Sequence, residues 1–265
     1  MSAIRRAFAQ LSIGQVHYAQ CGDPHAPAVL LLHQTPRSWL EYREVLPLLG
    51  TTWRAIAMDT AGFGDSAPVE HACIERWAQV ALELLDALNI ERAHVVGHHT
   101  GGVIAIEIAA AQPSRVTSLV LSSTPYTGPE FRAARAQRPP IDAVEPKPDG
   151  SHLAALWQRR QPFYPPARPE LLEAFVRDAL KVSGDVEGGH TAVASYGMED
   201  RVARITQPVL LIHATADPFA APHATQLHEQ LPQSRIVEIE GGMVPLPDQL
   251  PREFARAVAD FLRNA

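Results

Sequence analysis

The sequence predicts an α/β fold with a doubly wound, mostly parallel sheet and a helical insertion. Short apolar segments alternate with longer segments of helical periodicity, which is the pattern of a parallel sheet covered by helices on both faces. The apolar segments that predict buried strands are residues 28–32, 55–58, 93–96, 116–121, 209–212 and 236–239.

Helices are predicted between these strands. The clearest covers residues 74–88, where apolar residues recur three and four positions apart and so form one stripe. Ahead of the first buried strand, residues 6–11 and 15–21 flank Gly14 and predict an antiparallel hairpin at the edge of the sheet. The other predicted helices of the core are residues 42–49, 102–111, 221–230 and 251–262.

The alternation of strand and helix is interrupted over residues 125–204. Helical segments are predicted there at 152–160 and 169–181, after a proline-rich stretch. An insertion of this size carries an apolar face that needs cover, which favours a lid over the carboxyl edge of the sheet. The predicted organisation is a core domain of residues 1–124 and 205–265 with a helical lid of residues 125–204.

Composition restricts the class of partner. The 265 residues carry a formal net charge of -6 and lack the clustered cations that nucleic acid or an anionic membrane surface requires, so a small molecule is the predicted partner. Cys21 and Cys73 form neither a disulfide framework nor a CxxC motif, which favours a reducing cytoplasm. No apolar segment approaches the ~18 residues of a membrane span, and no signal peptide is predicted. The oligomeric state stays open.

The strongest functional signal is the turn Gly97-His98-His99-Thr100-Gly101. It follows a predicted buried strand directly and precedes a predicted helix, so it lies at the carboxyl edge of the sheet, where open α/β sheets bind ligands. A turn of this type holds its central side chain, here His99, on a tight and strained backbone, and its glycines let strand and helix approach closely.

Three further motifs complete a resemblance to the α/β-hydrolase family with a lid. Residues 28–33 followed by Gln34 resemble the family's oxyanion strand and loop, residues 59–66 resemble its D-x-x-G-x-G-x-S loop, and residues 214–218 resemble the loop that bears its catalytic acid. The resemblance implies that Asp217 is that acid. It covers roughly residues 15–124 and 206–263.

Two positions depart from the family pattern. His99 stands where the family has its serine nucleophile, and Val244, or Met243 with a shift of one residue, stands where the family has its histidine base. Neutral imidazole has its own lone pair and acts as a base or nucleophile unaided, so the two departures are compatible with each other. We therefore hypothesise an Asp217–His99 dyad, in which Asp217 orients the ring and stabilises its protonated form while the helix N-terminus opposes that charge.

The function predicted for such a site is an enzyme of hydrolase or lyase type, acting on a small molecule with a carbonyl or ester group. His99 serves as general base, or less favourably as a nucleophile that forms an acyl-imidazole. The backbone N–H groups of Gln34 and Thr100 are expected to stabilise a developing oxyanion. No organic cofactor and no metal are predicted.

Residues expected around the substrate carry structural alternatives. His33 and His98 also fit roles in bonding to the backbone, and Arg37 fits either a substrate carboxylate or a solvated loop. A displaced histidine, either His190 or His223, could complete the site. The residues predicted to bind substrate are His33, Arg37, His98, Trp157, Tyr196 and Val244.

Two alternatives of another class stay open. One is a noncatalytic ligand-binding or sensing module on the same fold, with His99 merely filling its pocket. The other is a metal site, because several histidines follow strands and imidazole is a common zinc ligand, although their spacing matches no standard site. The side chains in the metal alternative are His33, His98, His99, His213 and Asp217.

Overall fold

A computed structural model describes residues 3–265, so residues 1 and 2 of the predicted core domain lie outside the described part. It contains an eight-stranded sheet in the order β1-β2-β4-β3-β5-β6-β7-β8. The strands are Arg5–Leu11 (β1), Gly14–Cys21 (β2), Ala28–Leu32 (β3), Arg54–Met58 (β4), Ala93–His98 (β5), Val116–Ser122 (β6), Val209–Ala214 (β7) and Ser234–Ile239 (β8).

The pairing of the strands confirms the predicted fold class. The strand β2 pairs antiparallel with both β1 and β4, whereas every pair from β4 across the sheet to β8 is parallel. The predicted edge hairpin is present, with Leu11 opposite Gly14 at its turn.

Helices connect the strands, and three short 3₁₀ segments lie at Trp39–Tyr42, Pro113–Arg115 and Gln161–Phe163. The α-helices are Val45–Leu49 (α1), Ile74–Ala87 (α2), Thr100–Ala111 (α3), Pro129–Ala136 (α4), Ser151–Arg160 (α5), Pro169–Ala179 (α6), Gly188–Ser195 (α7), Glu199–Val202 (α8), His223–Gln230 (α9), Leu246–Gln249 (α10) and Pro251–Leu262 (α11).

One predicted helix is divided in the structure. Residues 42–49 were expected to form a single helix, but α1 begins only at Val45. Pro47 has no backbone N–H and is tolerated only in the first turn of a helix, so the helix begins just before it.

The sheet separates two apolar cores. Leu30 and Leu32 of β3 face the core shared with α2 and α3, whereas Val29 and Leu31 face the core shared with α1 and α11. Side chains alternate across a strand, and both faces here are covered, so all five residues of β3 are buried. This double burial is the reason for the uninterrupted apolar segments in the sequence.

The helices α4 to α8 all lie between β6 and β7, and we call them the β6–β7 helices. Part of this segment has a small apolar core of its own, built from Leu156, Tyr164, Leu171, Leu172, Phe175 and Ala179. Over residues 3–265, no helix is both long and apolar enough to cross a membrane.

Candidate active site

His99 lies between the end of β5 and the first residue of α3, with φ 46° and ψ -114°. This backbone conformation is strained for a residue with a side chain and persists only where neighbouring groups hold it. The N–H of His99 donates to the carbonyl of Ser122 at 2.9 Å. A Cβ added at Gly97 would collide with the backbone of Gly101, and one added at Gly101 would collide with that of Leu32. The packing therefore requires these two glycines and fixes the imidazole at the N-terminus of α3.

The structure brings His99 and Asp217 into hydrogen-bond contact. Nε2 of His99 lies 2.7 Å from Oδ2 of Asp217, whose side chain is fully buried, while the His99 side chain is 15% exposed. A carboxylate only accepts, so Nε2–H donates, and Nδ1 of the neutral ring keeps a lone pair. Burial alone would raise the pKa of Asp217, but His99 and the N–H of Phe219 together hold it below its usual value. Asp217 is therefore ionised at neutral pH.

His98 lies beneath this pair and is fully buried. Its Nε2–H donates to the carbonyl of Val244 at 2.8 Å, and its Nδ1 accepts from the hydroxyl of Ser122 at 3.0 Å. Burial and the neighbouring His99 lower the pKa of His98 to about 3, so the ring is neutral. The expectation that His98 binds substrate is not met, because both ring nitrogens are engaged by the protein and the side chain does not reach the cavity.

Replacement of His98 by glutamine is expected to change how stability depends on pH. The folded pKa of about 3 lies below the unfolded value of about 6.5, so below pH 6.5 the unfolded chain binds a proton that the folded chain does not. Wild-type stability thus loses about 1.4 kcal/mol per pH unit through this group alone. Denaturant unfolding at several pH values should show the gap between wild type and His98→Gln closing as pH falls from 6 to 4.

His71 offers the matched control for this measurement, since its side chain is 89% exposed. His71→Gln should leave the same stability difference at every pH. A constant difference for His98→Gln would contradict a neutral, buried ring.

The oxyanion donors differ in part from the expectation. The backbone N–H of Gln34 donates to Oε2 of Glu41 at 2.9 Å, and its side-chain amide donates to Oε1 at 2.6 Å. Gln34 therefore has no free backbone donor, and the prediction for it is wrong in this structure. The backbone N–H groups of Thr35 and Thr100 donate to no group within residues 3–265. The hydroxyls of these two threonines lie 3.0 Å apart.

Thr35 was missed because the sequence gives no sign that Glu41, seven positions downstream, accepts the N–H of Gln34. Burial raises the pKa of Glu41 to about 7, although Arg37 and Gln34 oppose the shift. The carboxyl group and the loop that it holds are thus part of one buried network behind the site.

A cavity of about 780 Å³ opens in front of His99. The sheet side contributes Gln34, Thr35, Thr100 and Val244, and α9 contributes His223. The segment that contains the β6–β7 helices contributes Tyr126, Phe131, Arg135, Arg138, Ile141, Arg160, His190 and Val193. A volume of this size suits a small molecule, in agreement with the class of partner expected.

Four other predicted substrate contacts lie away from this cavity. His33 donates from Nδ1 to the carbonyl of Gln34 at 2.7 Å and accepts at Nε2 from the N–H of Thr60 at 2.9 Å, so it fixes the loop. Arg37 is fully buried among carboxylates and is not available to a substrate.

The two aromatic residues expected at the substrate are also engaged elsewhere. Trp157 packs against the small core of the β6–β7 helices. The hydroxyl of Tyr196 donates to Oε2 of Glu107 at 2.6 Å, which ties the end of α7 to α3. Of the six side chains predicted to bind substrate, Val244 is the one that lines the cavity.

The metal alternative finds little support in this arrangement. Both ring nitrogens of His33 and of His98 are bonded to protein groups and offer no lone pair to a metal. Among residues 3–265, the side chains spaced as a metal site are His17, Asp59 and Asp65. Cationic side chains already pair with Asp65 there, namely Arg6 and Lys181.

A family model described as the alpha/beta hydrolase fold matches residues 27–246. The chain belongs to the α/β hydrolase fold family. Over 262 residues, this α/β hydrolase is 27% identical to the putative carbamate hydrolase RutD of Agrobacterium fabrum, which covers 92% of this chain and 95% of the relative. It is 31% identical over 120 residues to bifunctional epoxide hydrolase 2 of Mus musculus, where the match covers 44% of this chain and only 21% of that relative.

A solved structure has the same fold. The enol-lactonase from Burkholderia xenovorans LB400 superposes with a TM-score of 0.80 at 24% identity, covering 97% of this chain and all of that one. Two of these similar proteins are thus named as hydrolases, one of them putative, and the third is named as an enol-lactonase.

Proposed function

We propose that this α/β hydrolase is a hydrolytic enzyme for a small ester, lactone or carbamate, with His99 as the general base and no organic cofactor or metal. One observation carries the proposal: His99 gives its Nε2–H to a buried, ionised Asp217 at 2.7 Å and lines the cavity, where Nδ1 is left as the proton acceptor. The carbamate hydrolase and enol-lactonase among the similar proteins support the choice of hydrolysis over a lyase reaction.

The reaction begins with a water molecule in the cavity. Neutral Nδ1 of His99 takes a proton from the water as its oxygen attacks the carbonyl carbon, and the carbonyl π electrons move onto oxygen. The backbone N–H groups of Thr35 and Thr100 stabilise that oxyanion. Asp217 stabilises the imidazolium of His99. The partial positive charge at the N-terminus of α3 opposes the imidazolium charge and so favours loss of the proton from His99 later in the reaction. The tetrahedral intermediate collapses as the oxyanion re-forms the carbonyl double bond and the bond to the leaving group breaks. The proton that His99 removed from water ends on the leaving group.

The β6–β7 helices act as a lid in this proposal. They supply one wall of the cavity through side chains such as Phe131 and Val193, whereas the chemistry lies on the core side at His99. The apolar side chains of this wall lower the local water content and strengthen electrostatic stabilisation of charge in the transition state. The division into a core of residues 1–124 and 205–265 and a lid of residues 125–204 follows from this role.

Asp217→Asn is expected to abolish most turnover while ligand binding survives. The amide keeps the shape of the side chain but removes the charge that stabilises protonated His99, so a loss of about 10²-fold or more in kcat is expected. Hydrolysis of a panel of esters, lactones and carbamates by wild type and variant gives the rates, and calorimetry with the reaction products gives the binding. Product binding without turnover by wild type, across the whole panel, would instead identify a ligand-binding or sensing module.

A further inference from the structure

A second histidine that lines the same cavity, His190, also pairs with a buried aspartate. His190 of α7 has Nε2 at 2.8 Å from Oδ2 of Asp142, whose side chain is fully buried, and the His190 side chain is 17% exposed. The ionised carboxylate only accepts, so Nε2–H donates to it. Nη2 of Arg160 lies 3.3 Å from the same Nε2 but donates to Asp142 and not to the ring. Nδ1 of His190 has no hydrogen-bond partner within residues 3–265, and the residue lines the cavity. The imidazoles of His99 and His190 thus line one cavity, and each bonds to its carboxylate through Nε2.

Arg160 keeps Asp142 ionised. Its Nε donates to Oδ1 of Asp142 at 2.6 Å, its Nη2 donates to Oδ2, and its guanidinium lies over the ring of Phe175 at 4.8 Å. Burial would raise the pKa of Asp142, but His190 and Arg160 outweigh it and lower the pKa below its usual value. The ion pair with Arg160 is enough by itself to balance the buried charge of Asp142. It does not explain a histidine that shares the carboxylate, lines the cavity and has no hydrogen bond to Nδ1 within residues 3–265.

The pair lies next to the turn of residues 97–101 that holds His99. A Cβ added at Gly189 would collide with the side chain of Thr35, so the start of α7 packs directly on the loop that offers the free backbone donor. The hydroxyl of Thr35 in turn lies 3.0 Å from that of Thr100, which follows His99. His190, the residue after Gly189, is therefore held beside the groups proposed to bind the carbonyl oxygen.

We propose that His190 is a second proton-transfer residue, which donates the proton on Nδ1 to the oxygen or nitrogen of the leaving group as its bond to the carbonyl carbon breaks. This deepens the proposed function and rests on it. In one cycle His99 gains a proton from water and His190 gives one to the leaving group, and transfer through solvent from His99 to His190 restores both. Separate acid and base suit substrates with poor leaving groups, such as alkyl esters and carbamates, because an alkoxide or amine anion needs a proton to depart.

His190→Gln tests the role. Glutamine can still donate to Asp142 but cannot supply the proton, so the Arg160–Asp142 pair keeps its partners. We expect kcat/KM to fall about 10²-fold for an alkyl ester and by less than about threefold for the nitrophenyl ester of the same acid, because nitrophenolate departs without a proton. His190→Ala should show the same dependence on the leaving group. His71→Gln, at an exposed histidine, should leave both rates unchanged.

The outcomes separate this proposal from the proposed function. Equal losses for both esters would assign His190 a purely structural role, and unchanged rates would remove it from the reaction. In either case turnover by wild type that depends on Asp217 would leave the base-driven hydrolysis intact. A wild type without turnover would overturn both, and the Asp217→Asn comparison would identify that failure first.

Discussion

Replacement of His99 by alanine is expected to lower kcat/KM by about 10²–10⁴-fold, the usual contribution of a general base. The variant keeps the cavity and the free backbone donors of Thr35 and Thr100 but has no group to take the proton from water. Alanine also leaves room for a small heterocycle next to Asp217. Added imidazole should therefore restore part of the rate, measured by steady-state hydrolysis of the best ester of the panel.

A serine at the same position tests whether the imidazole itself is required. His99→Ser restores the residue type typical of the family, but Val244 stands where the family's base would stand, so no group activates the hydroxyl. We expect the serine variant to be as slow as the alanine variant. Activity of His99→Ser near that of wild type, or full activity of His99→Ala, would exclude imidazole as the base.

The sequence predicted those parts of the site that depend on local pattern. The tight turn at His99 and the strand-end position of Asp217 follow from motifs whose geometry is set by neighbouring residues, glycines above all. The same is true of the buried strands, whose uninterrupted apolar segments are a local signal, and of the edge hairpin, whose turn at Gly14 is another. These elements agree with the structure because short-range sterics determine them.

Contacts between distant parts of the chain were not predictable in this way. Arg37 bonds to Asp178 and Asp248, which lie 141 and 211 positions further along. An arginine expected to bind a substrate carboxylate or to lie in a solvated loop is therefore buried. The hydroxyl of Tyr196 likewise donates a hydrogen bond to a distant residue, Glu107, 89 positions earlier in the chain. Single residues in loops and inserted helices carry no periodic signal that reveals such partners.

Of the substitutions proposed for this protein, removal of the Arg37 guanidinium should lower the free energy of unfolding most. Its Nε donates to Asp178 at 2.9 Å and its Nη2 to Asp248 at 2.6 Å, while Nη1 lies 3.7 Å from Glu41. Arg37→Met keeps much of the volume but leaves these buried carboxylates without a cation. Breaking a buried ion pair from one side costs about 3–5 kcal/mol of unfolding free energy, which urea denaturation at pH 7.5 will measure.

The dependence of this loss on pH separates lost charge from lost packing. Burial raises the pKa of Asp248, and it raises that of Glu41 to about 7; without Arg37 both should rise further. Between pH 7.5 and 5 the folded variant then binds more protons than its unfolded chain does. Its loss of unfolding free energy relative to wild type should therefore shrink as the pH falls from 7.5 to 5.

A deficit of the same size at both pH values would instead assign the loss to packing. Arg252, exposed on α11 and without an ion pair among the described residues, gives the matched control: Arg252→Met should change stability by no more than about 0.5 kcal/mol. Because Arg37 joins the loop after β3 to α6 and α10, its charge fixes one of the β6–β7 helices to the core. Arg37→Met should therefore also lower the rate of turnover, although Arg37 does not contact the substrate.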